Sequence, residues 1–219
     1  MARLPRLAVP GHAHLIVQRA HGGLPVLQDP ADRQDFLAAL RDAAASESVA
    51  IHAYAFADSE LLLLATPHGE AGLGRMMQSV ARRYVSAYNR RHGRRGTLWE
   101  GRYRCGVVEP GRWLLAAMLW IDGQAGLTSA KQRTGVSRDT VLVDPAEFWA
   151  LGNTPFDREA AYRMLLVRGL PTGDVETLRR AAEGGWAIGS EAFVAQIATQ
   201  AARPAQPRAR GRPRRSAQP

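Results

Sequence analysis

Residues 49–67 read VAIHAYAFADSELLLLATP, two strand-like runs, Val49 to Phe56 and Leu61 to Thr66, joined by a polar turn at Asp58-Ser59. Short apolar runs bounded by turn residues are the mark of neighbouring strands, and what flanks this pair decides the fold. Upstream, His12 to Arg19 alternates as a strand until Gly22, Gly23 and Pro25 break it. Asp29-Pro30 then opens a helix, with Asp as N-cap and Pro at the first helical position, and Phe36, Leu37, Leu40 and Ala44 form its apolar stripe. Downstream, Leu73, Met77, Val80, Tyr84 and Tyr88 recur every three or four residues, one face of a long helix that Gly93 and Gly96 end. Trp99 to Val108 reads as a further strand and Arg112 to Ile121 as a short apolar helix. The order β-α-β-β-α-β plus a helix predicts an α+β, ferredoxin-like antiparallel sheet over residues 1–128. Helical patterns over 145–151, 157–168, 174–183 and 190–200 predict a helical extension spanning 129–200. Residues 201–219 form a basic Arg/Pro-rich tail whose last fifteen residues have a disordered composition.

Charge narrows the function. The 219 residues carry 29 basic and 20 acidic side chains, net +9, and Lys131 is the sole lysine. Arginine's planar fork matches phosphate oxygens. Between Arg82 and Arg104 lie eight arginines (82, 83, 90, 91, 94, 95, 102 and 104) and one acid, Glu100, giving +7. Between Arg203 and Arg215 six arginines and no acid give +6, so the remainder of the chain sums to −4. A charge excess confined to two places is the footprint of a polyanion. Trp99 and Tyr103 sit among the arginines. Aromatics there can stack unpaired bases, although a strand Trp is as readily core, so both roles stand for Trp99.

Other signals are weaker. Arg210-Gly211-Arg212-Pro213-Arg214 is similar to an AT-hook, an extended backbone whose arginines splay into a narrow minor groove; plain electrostatic attraction is the alternative. Ala130 to Val141 mimics the turn and recognition-helix start of a helix-turn-helix, but Asp144-Pro145 would cut that helix short. An RNA-binding module is a further reading of the same basic composition. Among the histidines His12 and His14 alone have a ligand-like spacing, and a structural role explains that pair better. Cys105 is the single cysteine, which excludes a disulfide within the chain and fits a reducing compartment. The absence of an apolar run of span length or of a signal-peptide core predicts a cytoplasmic protein.

Several motifs together resemble one family. They are Ala2-Arg3-Leu4-Pro5-Arg6 with Pro10-Gly11, Val17-Gln18-Arg19, Ile51-His52-Ala53-Tyr54 ahead of Thr66-Pro67, and Asn89-Arg90-Arg91-His92-Gly93 followed by Gly96-Thr97-Leu98-Trp99-Glu100-Gly101-Arg102-Tyr103. Leu151-Gly152-Asn153-Thr154-Pro155 and Gly185-Trp186-Ala187-Ile188-Gly189-Ser190-Glu191 extend the match. The chain resembles the REP-associated tyrosine transposases (RAYT), single-tyrosine HUH transposases of the insertion-sequence 200/605 group. That resemblance implies a ferredoxin-like domain that recognises hairpin-forming single-stranded DNA. It also implies strand cleavage and rejoining, with Mg²⁺ or Mn²⁺ held by a histidine pair and a tyrosine nucleophile.

The sequence departs from that pattern at both catalytic places. The histidine pair falls near Ser59 and Leu61, in a stretch one residue short, and the nucleophile position is Trp120, before Ile121 and Ala125-Gly126-Leu127. None of the three can do the chemistry, so no catalytic residue and no cofactor is expected, and cleavage is expected to be lost. Two escapes remain open. Asp58 and Glu60 have strand spacing and could hold Mg²⁺ or Mn²⁺ as a relocated metal site, and Tyr84 or Tyr88 could serve as nucleophile, although both lie on an apolar stripe. The residues expected to contact DNA are Arg82, Arg83, Arg90, Arg91, Arg94, Arg95, Trp99, Arg102 and Arg104, with Arg210, Gly211, Arg212, Pro213 and Arg214 in the tail.

Overall fold

The computed structural model describes residues 5–57 and 59–207. Strand β1 (Ala13–Arg19) is followed by helix α1 (Pro30–Ser46), where the Asp29 carboxylate accepts the Asp32 backbone N–H at 2.7 Å. Strands β2 (Val49–Ala57) and β3 (Glu60–Pro67) pair antiparallel, and α2 (Gly72–Arg91) returns across them. Leu73, Met77, Val80, Tyr84 and Tyr88 are all buried, the single stripe that the periodicity predicts. Then come β4 (Arg104–Val108), α3 (Arg112–Asp122), β5 (Leu127–Thr128), α4 (Ala130–Arg133), α5 (Ala146–Trp149), α6 (Pro155–Arg168), α7 (Thr172–Gly184), β6 (Ala187–Ile188) and α8 (Glu191–Gln200).

The strands form one sheet in the order β5-β2-β3-β1-β4-β6, antiparallel except where β6 joins β4. Its four central strands stand in the order β2-β3-β1-β4, the ferredoxin-like arrangement that the β-α-β-β-α-β reading predicts. Because strand side chains alternate, each strand feeds two cores. Ile16, Leu61, Leu63 and Ala65 pack with Phe36, Leu40, Met77 and Tyr84 under α1 and α2. Leu15, Val17, Leu62 and Leu64 pack with Trp120, Ile121, Tyr162 and Leu178 from α3, α6 and α7. The extension is therefore the second outer layer of a three-layer molecule.

Three expectations need correction. Strand pairing at the fourth strand begins only at Arg104, opposite Val17. Trp99 makes one isolated bridge to Ala20, and the chain then loops over the end of β1, fixed by a 2.8 Å bond from Gln18 Nε2 to the Gly101 carbonyl. The helix-turn-helix reading fails because α4 is four residues long and no recognition helix follows. Instead residues 142–143 run beside β2, with Val143 N–H donating to Ile51 O at 2.8 Å, while the guanidinium of Arg133 is fully buried near Asp122 and Asp144. Finally, Ala205 is buried and its carbonyl accepts the Ala187 N–H at 2.7 Å, so the start of the supposedly disordered tail is packed.

Candidate nucleic-acid interface

The arginine-rich segment divides into two populations. Arg83 pairs with Asp42 at 2.9 Å, and Arg91 pairs with Asp32 at 2.8 Å and Asp35 at 2.6 Å, stitching α2 to the acidic face of α1. Arg94 folds back over the Tyr88 ring, 5.7 Å from its centroid. Arg82, Arg90, Arg95 and Arg102 are exposed and have no acidic partner among the described residues. Trp99 is 8% exposed and belongs to the core beneath α2, so its ring has no face open for stacking. The net +7 of the segment thus overstates what it can offer a ligand, since the helix α1 cancels part of it.

The free charge gathers in a groove that no single segment announces. It is a cavity of about 280 Å³ whose walls include Arg6, Arg102, Arg104 and Arg203, with Tyr103 and Trp186 between them. The Arg6 guanidinium lies 3.9 Å over the Tyr103 ring and its Nε–H donates to the Tyr103 carbonyl at 3.1 Å. Arg203 covers Trp186 at 5.6 Å and donates to the carbonyls of Gly185, at 2.9 Å, and Pro5. Arg104 donates to the Glu183 carbonyl at 3.2 Å. These bonds take one of the five donors of Arg6 and of Arg104 and, with a further bond to the Pro204 carbonyl at 3.1 Å, three of those of Arg203, and they hold the planes in place. Two glycines make the groove possible. Gly185 ends α7 in the left-handed region, φ 71°. At Gly106 a Cβ would meet the Trp186 carbonyl oxygen at 2.5 Å, so only glycine lets β4 approach that turn so closely.

The sequence alone points to Arg102, Tyr103 and Arg104 in this region and not to the rest of the groove. Arg203 was counted only as tail charge, and Arg6 and Trp186 were noticed only inside motifs. The stretch Arg210 to Arg214 lies outside the described residues.

At the expected catalytic place, strand parity sets the residues on different faces of the sheet. Leu61 points into the α1–α2 core, whereas Trp120 packs in the core on the opposite side of the sheet. Ser59 sits in the turn, where its carbonyl accepts the Ala20 N–H at 2.8 Å. Ser59 and Leu61 are therefore not partners of Trp120. The adjacent residue Glu60 is, through an arginine: Arg179 of α7 lies 5.3 Å over the Trp120 ring and 3.5 Å from the Glu60 carboxylate. Arg19 bonds the same carboxylate at 3.1 Å, and Glu183 contacts both Arg19 and Arg179. Two carboxylates and two guanidiniums close into a ring of ion pairs. Glu60 with two guanidiniums, an indole and Leu62 does not fit a divalent cation, whose sites need several oxygen ligands and no competing cation. Asp58 lies outside the described residues.

The remaining candidates are structural. Tyr84 and Tyr88 are buried, and their hydroxyls donate to the carbonyls of Val26 and Pro25. Burial drives the Tyr84 phenol well above its ordinary range. Asp29, Asp32 and His92 lie close enough to bracket a metal ion, but the Asp32 carboxylate already accepts from Gln28 N–H, Arg91 and His92. His14 Nδ1–H donates to the His12 carbonyl at 2.8 Å and Nε2 accepts the Val9 N–H at 3.1 Å. Cys105 is buried, which pushes its thiol up to about 12. No helix of the described residues is long and apolar enough to cross a membrane.

The chain is similar in structure to a REP-associated tyrosine transposase bound to a REP hairpin. The TM-score is 0.52 at 9% sequence identity, with 66% of this chain and 99% of the other covered. At that identity the likeness is one of fold. No protein-family model matches the chain, and no curated protein matches it.

Proposed function

We propose that this chain binds hairpin-forming or single-stranded DNA on a transposase-like scaffold and does not cleave it. The observation that carries the reading is the groove of Arg6, Arg102, Arg104 and Arg203 with its interleaved aromatic rings. Guanidiniums fixed over aromatic planes offer donors to a phosphate backbone, and the half-buried Trp186 ring offers a stacking surface to an unpaired base, while the buried Tyr103 ring serves to seat Arg6. The solved structure of similar fold was captured on a DNA hairpin. Loss of cleavage is supported by the ring of ion pairs, which leaves an arginine between Glu60 and Trp120 and includes no tyrosine hydroxyl. Arg82 and Arg90 on α2, and the AT-hook-like stretch Arg210 to Arg214, would lengthen the electrostatic track along a hairpin stem.

Binding of a labelled hairpin oligonucleotide across a salt series tests this. Each phosphate neutralised on a single strand contributes about −0.7 to the slope of log Kobs against log salt, so four groove arginines predict a slope of about −3. Arg102→Ala and Arg203→Ala should each flatten it, and incubation with Mn²⁺ should give no covalent protein–DNA adduct. A salt-independent affinity removes the groove from the argument, and an adduct removes the claim of lost cleavage.

A further inference from the structure

Helix α6 carries a face that the fold leaves uncovered. The large apolar side chains that stay exposed among the described residues all lie between Val136 and Val167, in the extension, and none belongs to the ferredoxin-like part. Three of them stand on α6: Phe156 is 82% exposed, Met164 74% and Val167 86%. With exposed Ala160 they follow one another at steps of four, four and three residues, so they form one stripe along the helix. The opposite side of α6 is already occupied, with Tyr162 buried in the core beside α3 and Leu165 and Leu166 packed against that core. The turn that carries exposed Val136 is tied to the same helix. Its Thr134 carbonyl accepts Arg163 at 3.1 Å, and a Cβ added at Gly135 would meet the Glu159 carboxylate. An apolar patch of this kind, rimmed by charge, marks a protein contact.

The charges of the rim decide which partner fits. By the helical period, Asp157 and Arg168 lie along one flank of the stripe and Glu159 and Arg163 along the other. Each pair sits almost evenly about the middle of the helix, between Ala161 and Tyr162, and so do Phe156 with Val167 and Ala160 with Met164. A reversed copy of the same helix therefore offers each residue a suitable neighbour. Phe156 meets Val167, Ala160 meets Met164, Asp157 meets Arg168 and Glu159 meets Arg163. Acid faces base on both flanks, small faces large in the middle, and the two helix dipoles oppose one another. A parallel pair would instead set Arg168 against Arg168 and align the dipoles. We propose that α6 is the contact of a two-fold dimer of this chain, built from two antiparallel α6 helices. Two helices of fourteen residues make a contact at the small end of specific interfaces, so the dimer dissociates with a Kd of about 1–100 µM. None of the stripe's residues lines the arginine groove, so the dimer carries two grooves, and the pairing does not depend on what they bind.

Sedimentation velocity of the full chain without DNA tests the pairing. The native chain should pass from the mass of one chain to that of two as its concentration rises through about 1–100 µM. Phe156→Glu and Val167→Lys should each remain a single chain over that range. Both substitutions replace exposed side chains, and each adds the charge that its end of the helix favours, so the unfolding midpoint of the dilute protein should be unchanged. An equal mixture of the two variants should associate again. One contact then restores Phe156 against Val167, and the other sets the new carboxylate against the new ammonium. A single-chain mass up to about 1 mM overturns the proposal and gives the stripe to a partner other than this chain. Dimers that survive both substitutions overturn α6 as the contact, and variants that stay apart when mixed overturn the antiparallel register.

Discussion

His14 and Arg133 show how much of this molecule depends on single buried polar side chains. His14 is enclosed as the neutral imidazole, and burial pushes it down to about 4 from an ordinary 6.5. A base depressed in the folded state gives stability that is whole above 6.5 and is lost as pH falls towards 4, because the unfolded chain binds the proton first. That window corresponds to about 3 kcal/mol. Urea midpoints at pH 7, 5 and 4 should fall steeply for the native chain and less steeply for His14→Gln. His52, depressed in the same direction by burial, keeps some slope in both. Among the described residues Arg133 is the only cation paired with the buried carboxylate of Asp122, which burial holds above its ordinary value even so. Arg133→Met should cost about 3–5 kcal/mol, the usual penalty for stranding a buried charge. The loss should be larger at pH 8 than at pH 5, because acid lets Asp122 protonate. A pH-independent loss would show that Asp122 does not carry it.

Helices and strands differ in how plainly the residues announce them. The stripe from Leu73 to Tyr88 spans four turns, and the Asp29-Pro30 start fixes α1, so both elements are legible in the sequence alone. Strands β5 and β6 are two residues each, too short for any alternation to register, and they exist because edges of the sheet were there to receive them. The parity of β3 was also out of reach. A one-residue slip in aligning the turn at 58–59 exchanges the faces of the sheet, and so exchanges Leu61 for Glu60 beside Trp120. On α2 the sequence could count arginines but not see α1 opposite them. That division is testable. Arg82→Ala with Arg90→Ala should leave the unfolding midpoint nearly unchanged and reduce the salt slope of DNA binding, whereas Arg83→Ala with Arg91→Ala should lower the midpoint. Equal effects from the two pairs on both measurements would erase the distinction.

Across the whole molecule, the groove joins residues 6, 102–104, 186 and 203, and no window of sequence contains it. What could be read was its charge, in two clusters; what could not was that β4 and β6 lie side by side and bring those clusters together. A chain ending at Gln200 should keep the helices and sheet, by circular dichroism, yet bind hairpin DNA more weakly, because Arg203 and the Ala205 contact are gone. Unchanged affinity would move the binding surface elsewhere. The bond from Arg203 to the Pro5 carbonyl also has a temporal side. A nascent chain has its first five strands and the helices α1 to α7 in hand before residue 203 is available, so the groove closes after the two cores can form. In chain order the two cores therefore have all their helices and strands in hand before the groove has the last of its four arginines.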